Sequence, residues 1–330
     1  MKKKVVVTGG AGFIGSHTVE ALLNSGHSVV VIDNFSTGRP QNLESFKNNP
    51  LLTLVVSDIN DIQKTKDAYR NADWVIHLAA LADIVPSIER PLDYHHANVS
   101  GTAAVLECAR SAGVKRFVYA ASSSCYGIPD HYPTSETAPI RPQYPYAVTK
   151  YLGEEYVLNW AKIYKMPAVS LRFFNVYGPR SRTSGTYGAV FGVFLAQKIK
   201  GKPFTVVGDG QQSRDFTYVT DVVGAILTAA ESDVSDDVMN VGSSQHYSVN
   251  QLVKLLGGPV TYIPKRPGEP DQTFADISKI KSRLGWKPKV TLEIGVASML
   301  EHIDYWKDAP VWTPDSIQEA TKTWFQYLKS

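Results

Sequence analysis

Cysteine is nearly missing: Cys108 and Cys125 are the only two in 330 residues. Two thiols cannot build a disulfide framework or a metal knuckle, so no metal site is expected. The expected reading is a pair of buried thiols in a reducing compartment. A surplus of one charge sign is missing too. Lys and Arg total 34 against 31 Asp and Glu, a formal net charge of +3. With no basic stripe interleaved with aromatics, nucleic acid is not an expected partner. No stretch approaches about 18 unbroken apolar residues, so no membrane-spanning helix is expected. The run Met1-Lys2-Lys3-Lys4-Val5-Val6-Val7 imitates a signal peptide, but its apolar part ends at Thr8-Gly9-Gly10. A soluble cytoplasmic protein is expected, with no internal repeat and no low-complexity tract.

What is present is alternation. Hydrophobic residues make up 43% of the chain, enough for a large domain and a smaller partner. Val5-Val6-Val7 reads as a buried strand running into Gly9-Gly10-Ala11-Gly12-Phe13-Ile14-Gly15, and Ser16 to Leu23 reads as a helix. Strand, glycine loop and helix N-terminus make an anion cradle, because glycines admit a pyrophosphate close to free N–H groups. Ser28 to Ile32 is a second strand ending in Asp33, placed to accept ribose hydroxyls or simply to cap the turn. An acid there repels a 2′-phosphate, so NAD is expected over NADP, with Arg39 six residues on as the one feature favouring NADP.

Leu52–Val56, Trp74–Ala80, Lys115–Ala120 and Ala168–Phe173 read as further strands. Pro91–Ala112 and Tyr146–Tyr164 read as helices between them. The expected fold class is therefore α/β, a doubly wound parallel sheet, which binds ligands at the C-terminal strand ends. Asp58 and Ile59 either flank an adenine or start the next helix. Leu78-Ala79-Ala80 are small enough to let a cofactor pass, and His77 reads as a packed strand residue. The hydroxyl cluster Ser122-Ser123-Ser124 lies at a strand end. Tyr146 and Lys150, four apart, share one helix face, where an ammonium group favours a phenolate that can take a proton from a sugar hydroxyl. Beyond Asn175 the pattern loosens. Arg180, Arg182, Arg214, Lys265 and Arg266 are scattered near turns and suit either solvent or a diphosphate. Asp221–Ser232, Ser248–Leu256, Ile277–Leu284, Leu292–Asp304 and Pro314–Leu328 read as helices.

The glycine loop, Tyr119 to Gly127, Tyr144 to Tyr151, Leu171 to Gly178 and Gly208 to Phe216 together resemble the extended short-chain dehydrogenase/reductase family. Within it they look most like nucleotide-sugar 4-epimerases of the UDP-glucose/UDP-N-acetylglucosamine type. The resemblance runs from Val5 to about Trp306. It implies a Rossmann domain over 1–175 plus about 213–242, and a smaller α/β UDP-sugar domain over 176–212 plus about 243–330. It implies bound NAD, a homodimer through the helices 91–112 and 146–164, and reversible inversion at C4 of a UDP-hexose. Tyr146 matches the base, Lys150 its acidifier and ribose anchor, and Ser122 the hydroxyl that orients O4, with Ser123 its neighbour. Cofactor contacts are implied for Gly9, Gly12, Phe13, Ile14, Gly15, Asp33 and Asn34. The same holds for Asp58, Ile59, Leu78, Ala79, Ala80 and a supporting Asn98. Asn175, Arg214 and Arg266 match diphosphate positions. Thr273 matches a position beside the C2 substituent, where a small residue admits an N-acetyl group.

Related 4,6-dehydratases carry Asp-Glu after the first hydroxyl, and decarboxylases keep the Glu; this chain has Ser123-Ser124. A UDP-glucuronate 4-epimerase stays open, since Arg182 and Thr186 could meet a C6 carboxylate. A non-catalytic NAD sensor is disfavoured by the presence of Ser122, Tyr146 and Lys150. Some epimerases have a Lys near Ala82, absent here. The tail 306–330, with Trp312, Trp324 and Phe325, extends past the usual match and either caps the sugar domain or joins subunits.

Overall fold

The computed structural model describes residues 1–181 and 189–328. Arg182 and Thr186 lie outside them. Seven strands form one parallel sheet: β1 (Lys4–Thr8), β2 (Ser28–Asp33), β3 (Leu52–Val56), β4 (Trp74–His77), β5 (Arg116–Ser122), β6 (Ala168–Phe173) and β7 (Asp237–Val241). Their spatial order is β7-β6-β5-β4-β1-β2-β3, with Val5 opposite Val29 on one side and Trp74 on the other. The order reverses between β1 and β4, so a crevice opens beyond Thr8 and His77.

Alternation within one strand builds two cores. Val5 and Val7 face a layer containing Leu22 and Ile226, while Val6 faces another containing Leu106 and Val157. Because both faces are covered by helices, the strands read as unbroken apolar runs. A third core, including Tyr177, Phe194, Phe204, Leu252 and Trp306, lies outside the sheet. Among the described residues it carries three two-stranded pairings, one of them Phe204–Val207 parallel to Val260–Ile263.

Several boundaries differ from expectation for physical reasons. The first helix starts at Phe13 rather than Ser16, because extended Gly12 is its N-cap and already accepts from the Ser16 N–H. β4 stops at His77, where Leu78 leaves the sheet. The helix expected over 91–112 contains a π-turn at His96–Ser100 between Pro91–His95 and Gly101–Ser111. Such turns re-aim a side chain, here Asn98. The tail helix expected over 314–328 breaks at Thr321 into Pro314–Ala320 and Lys322–Tyr327. Helices Ile84–Glu89 and Val190–Ile199 have no counterpart in the sequence reading. Cys108 and Cys125 are buried free thiols. Among the described residues no helix is long and apolar enough to cross a membrane.

Beneath the helix Pro145–Tyr164 lies a buried ion pair. Arg172 Nε donates to Glu154 Oε1 and Oε2 at 3.1 Å, and the Ser170 hydroxyl donates to Oε2 at 2.7 Å. Removing one partner leaves an uncompensated buried charge. Arg172→Met should therefore lower unfolding stability by about 3–5 kcal/mol in urea titration, and adding Glu154→Leu should recover at least half. A single replacement costing under about 1 kcal/mol would show the pair to be solvated.

Candidate active site

One cavity of about 740 Å³ runs from the glycine loop past the ends of β4 and β5 to the third core. At its first end the cavity wall is largely backbone, with Gly9, Gly12 and Gly15 in its lining. Gly9 has φ +69°, and a Cβ there would lie 2.7 Å from Ala79 Cα. A Cβ on Gly15 would lie 2.1 Å from the Gly9 carbonyl oxygen. The helix beginning at Phe13 has no side-chain cap and no acid in its first turn, which leaves its positive end to an anion. Phe13 and Ile14 line the cavity beside it.

Asp33 lines the cavity while bracing the loop. Its Oδ2 accepts from the Ala11 N–H at 2.9 Å and its Oδ1 from Phe35 N–H at 2.8 Å. Burial pushes its pKa up, and those two N–H groups oppose the push. Each oxygen keeps a second lone pair for a hydroxyl. Asp58 accepts from the Asn60 backbone and side chain and from Asn34 Nδ2 at 2.9 Å. Burial would raise its pKa, but these bonds hold it below the usual value. Ile59 packs into the second core and touches the space that a Cβ on Gly101 would fill. Arg39 lies over the Tyr305 ring at 5.0 Å.

The middle of the cavity holds the hydroxyl and amine groups. Leu78, Ala79 and Ala80 line it, as do Ser122, Ser123, Ser124, Tyr146 and Lys150. Ser122 ends β5, opposite Phe173, and its Oγ lies 2.9 Å from Ser124 Oγ. The Tyr146 ring stacks at 9° on Tyr144 and meets Tyr94 edge-on. Lys150 is 5% exposed, its ammonium 4.3 Å above the Tyr119 ring. Asn98 stands behind this wall. It donates to Leu81 O and Thr149 Oγ1, both at 3.0 Å, and accepts from Leu81 N–H. Its amide is thus engaged within the protein, tying the loop after β4 to the Tyr146 helix. His77 is a packed strand residue, held between Thr8 and Thr102 hydroxyls. Burial, then the Lys150 charge, lowers its pKa to about 3, so it stays neutral.

Within the chain, burial dominates for Tyr146 and Lys150, raising the phenol and lowering the amine to about 7. The Ser122 hydroxyl pulls Tyr146 back down, while Asp83 and Cys125 push it further up. Glu154, one turn beyond Lys150, supports the ammonium form.

At the far end two arginines converge. Arg214 donates to Glu269 Oε1 at 2.8 Å, and Arg266 Nε donates to Glu269 Oε2 at 2.9 Å. Burial would raise the Glu269 pKa, but Arg266 and Arg214 hold it below the usual range. Two cations against one anion leave this end positive. Asn175 and Thr273 cross the cavity wall, Thr273 donating its hydroxyl to Asn175 Oδ1 at 2.7 Å. Of the other described basic residues in that set, Arg180 lines the same cavity and pairs with Glu20, while Lys265 pairs with Asp271. Sequence reasoning missed Glu269 and Asp83, both in the wall. The spacing Arg266–Glu269, three apart within a Pro-Gly turn, was the available signal for the first.

Residues 5–242 match the description "NAD dependent epimerase/dehydratase family". The chain is a member of the NAD dependent epimerase/dehydratase family. Its cofactor is NAD, and its sheet order is that of the dinucleotide-binding fold. A putative UDP-glucose 4-epimerase of Methanocaldococcus jannaschii is 36% identical, with 88% of this chain and 95% of that protein covered. The solved UDP-N-acetylglucosamine 4-epimerase of Methanobrevibacter ruminantium, in complex with UDP-N-acetylmuramic acid, superposes with a TM-score of 0.86 at 34% identity. That match covers 91% of this chain and 99% of the other. The UDP-glucuronic acid 4-epimerase of Bacillus cereus, solved with UDP-glucuronic acid and NAD, gives 0.83 at 33%, with the same 91% and 99% covered.

The glycine cradle fits the family's cofactor, because backbone atoms already occupy the positions a side chain would need. Gly15→Ala should lower the NAD content of the purified protein at least about tenfold while the sheet folds. Unchanged NAD content by absorbance after denaturation would place the cofactor elsewhere.

Proposed function

We propose that this family member inverts C4 of a UDP-hexose reversibly: UDP-glucose with UDP-galactose, and UDP-N-acetylglucosamine with UDP-N-acetylgalactosamine. One observation carries the reading. Ser122, Tyr146 and Lys150 share one cavity wall, and the two residues after Ser122 are serines. No carboxylate at those two positions can take a C5 proton, which leaves loss of water without its base.

When bound, NAD supplies the hydride acceptor for C4 and, in its oxidised form, a positive charge. The chain's own groups handle the proton. Burial keeps the Tyr146 phenol protonated until bound positive charge offsets it; as phenolate it takes the O4 proton when C4 is oxidised and returns it when C4 is reduced. The Ser122 hydroxyl lowers the phenol pKa and is positioned to orient O4. Lys150, with its pKa near 7, gives up or takes a proton at little cost and holds ribose hydroxyls. Asn175, Arg214 and Arg266 hold the diphosphate throughout, a uniform grip that leaves the sugar free to turn over. Division into a sheet domain and a sugar domain supports such a grip, since the cavity runs between the sheet ends and the third core. Thr273, small and tied to Asn175, leaves room for an N-acetyl group.

Exposed apolar side chains on the helices Pro91–His95 and Pro145–Tyr164, including Leu92 at 81% and Ile163 at 59%, support a homodimer through these helices. Buried thiols and the lack of a spanning helix in the described residues support a cytoplasmic enzyme.

Product analysis across UDP-glucose, UDP-N-acetylglucosamine and UDP-glucuronate tests the reading. The first two should yield their C4 epimers, and Tyr146→Phe should lower kcat about 100-fold or more with UDP affinity kept. A 4-keto product, or full turnover by Tyr146→Phe, would contradict the assignment. Sedimentation should show a dimer that Leu92→Asp weakens; a monomeric wild type would remove the proposed interface.

A further inference from the structure

The tail beyond Trp306 is not packed away from the site. Ala309, Pro310, Trp312 and Trp324 line the cavity itself. Trp324 is 5% exposed and donates its indole N–H to the Pro267 carbonyl at 2.7 Å. The Arg266 guanidinium lies over the same ring, 5.1 Å from its centre. Arg266 is therefore held on one side by an aromatic face and on another by the Glu269 carboxylate. A long side chain fixed in this way has already lost the rotamer freedom that binding an anion would otherwise cost.

The same segment spans both walls. Lys322–Tyr327 packs on the helix Ile84–Glu89, where Thr323 Oγ1 donates to Glu89 Oε1 at 3.1 Å. Ile84 and Val85 line the cavity from that side. On the other side Ile317 packs with Val207 and Ile263, and the Trp312 carbonyl accepts from Gln197 Nε2 at 2.8 Å. Gln197 also bonds Thr205, a cavity residue.

We infer that the segment 309–328 belongs to the substrate site as a strap across its mouth, in which Trp324 is a positioning residue that aims Arg266 at the diphosphate of a bound nucleotide. The inference rests on the proposed reading that a nucleoside diphosphate lies between Arg214 and Arg266. It settles the tail's two alternatives in favour of capping the sugar domain.

The probe is UDP, titrated calorimetrically into the full-length, NAD-loaded protein. Trp324→Ala should weaken UDP about tenfold, from the lost cation–π contact and the lost order of Arg266. Trp324→Phe, which keeps a ring but not the N–H, should weaken it about threefold and serves if the alanine variant does not fold. KM for the UDP-sugar should rise in step while kcat per NAD-loaded site stays within about twofold. In an Arg266→Ala background, Trp324→Ala should add less than about a twofold loss. Equal UDP affinity of wild type and the Trp324 variants overturns the inference. So does the same loss with and without Arg266, which would mean general packing. A wild type that does not bind UDP would overturn the functional reading itself, and the two failures are thereby distinguished.

Discussion

Thr149 sits between Tyr146 and Lys150 on the helix, and its hydroxyl accepts the Asn98 amide at 3.0 Å. Through that bond, and the paired bonds from Asn98 to Leu81, the loop leaving β4 is fastened to the helix that carries the phenol and the amine. Asn98 lies in the π-turn His96–Ser100 with its side chain buried. With the amide buried and every donor used, the geometry of the wall is rigid, which a proton-transfer site requires.

Burial decides the electrostatics of that wall. The environment that orders Tyr146 and Lys150 also disfavours the charged form of each. The protein therefore keeps the pair close to neutral and depends on a bound group to bring charge. Glu154 is one turn beyond Lys150 and engaged by Arg172, so its negative charge reaches the amine already largely compensated. Positive charge is concentrated instead at the far end, where Arg214 and Arg266 share Glu269. A neutral reacting end and a cationic anchoring end suit a ligand whose anionic part stays fixed while its neutral part moves.

Much of the sheet half was legible in the sequence because parallel strands, buried on both faces, advertise themselves as apolar runs such as Val5–Val7. The glycine loop was legible because Gly9 and Gly15 leave room that no side chain could take. The third core was not. Its pairings are only two to four residues long and join segments far apart, as Phe204–Val207 with Val260–Ile263. No local periodicity records such contacts. Tyr146 and Lys150 were found by spacing, but their protonation was not, since it depends on burial by Tyr94, Tyr119 and Tyr144. Glu269 escaped for the same reason, and Trp324 was named only as a tail aromatic, without its arginine: each touches Arg266 through the folded chain.

In the proposed reaction C4 alone is oxidised and reduced, with the proton handled by Tyr146. NMR of UDP-glucose turned over in D2O checks this. The expected product is UDP-galactose that keeps its original hydrogen at C4 and gains no deuterium at C5. Solvent deuterium at C5, or loss of the C4 hydrogen to water, would contradict it.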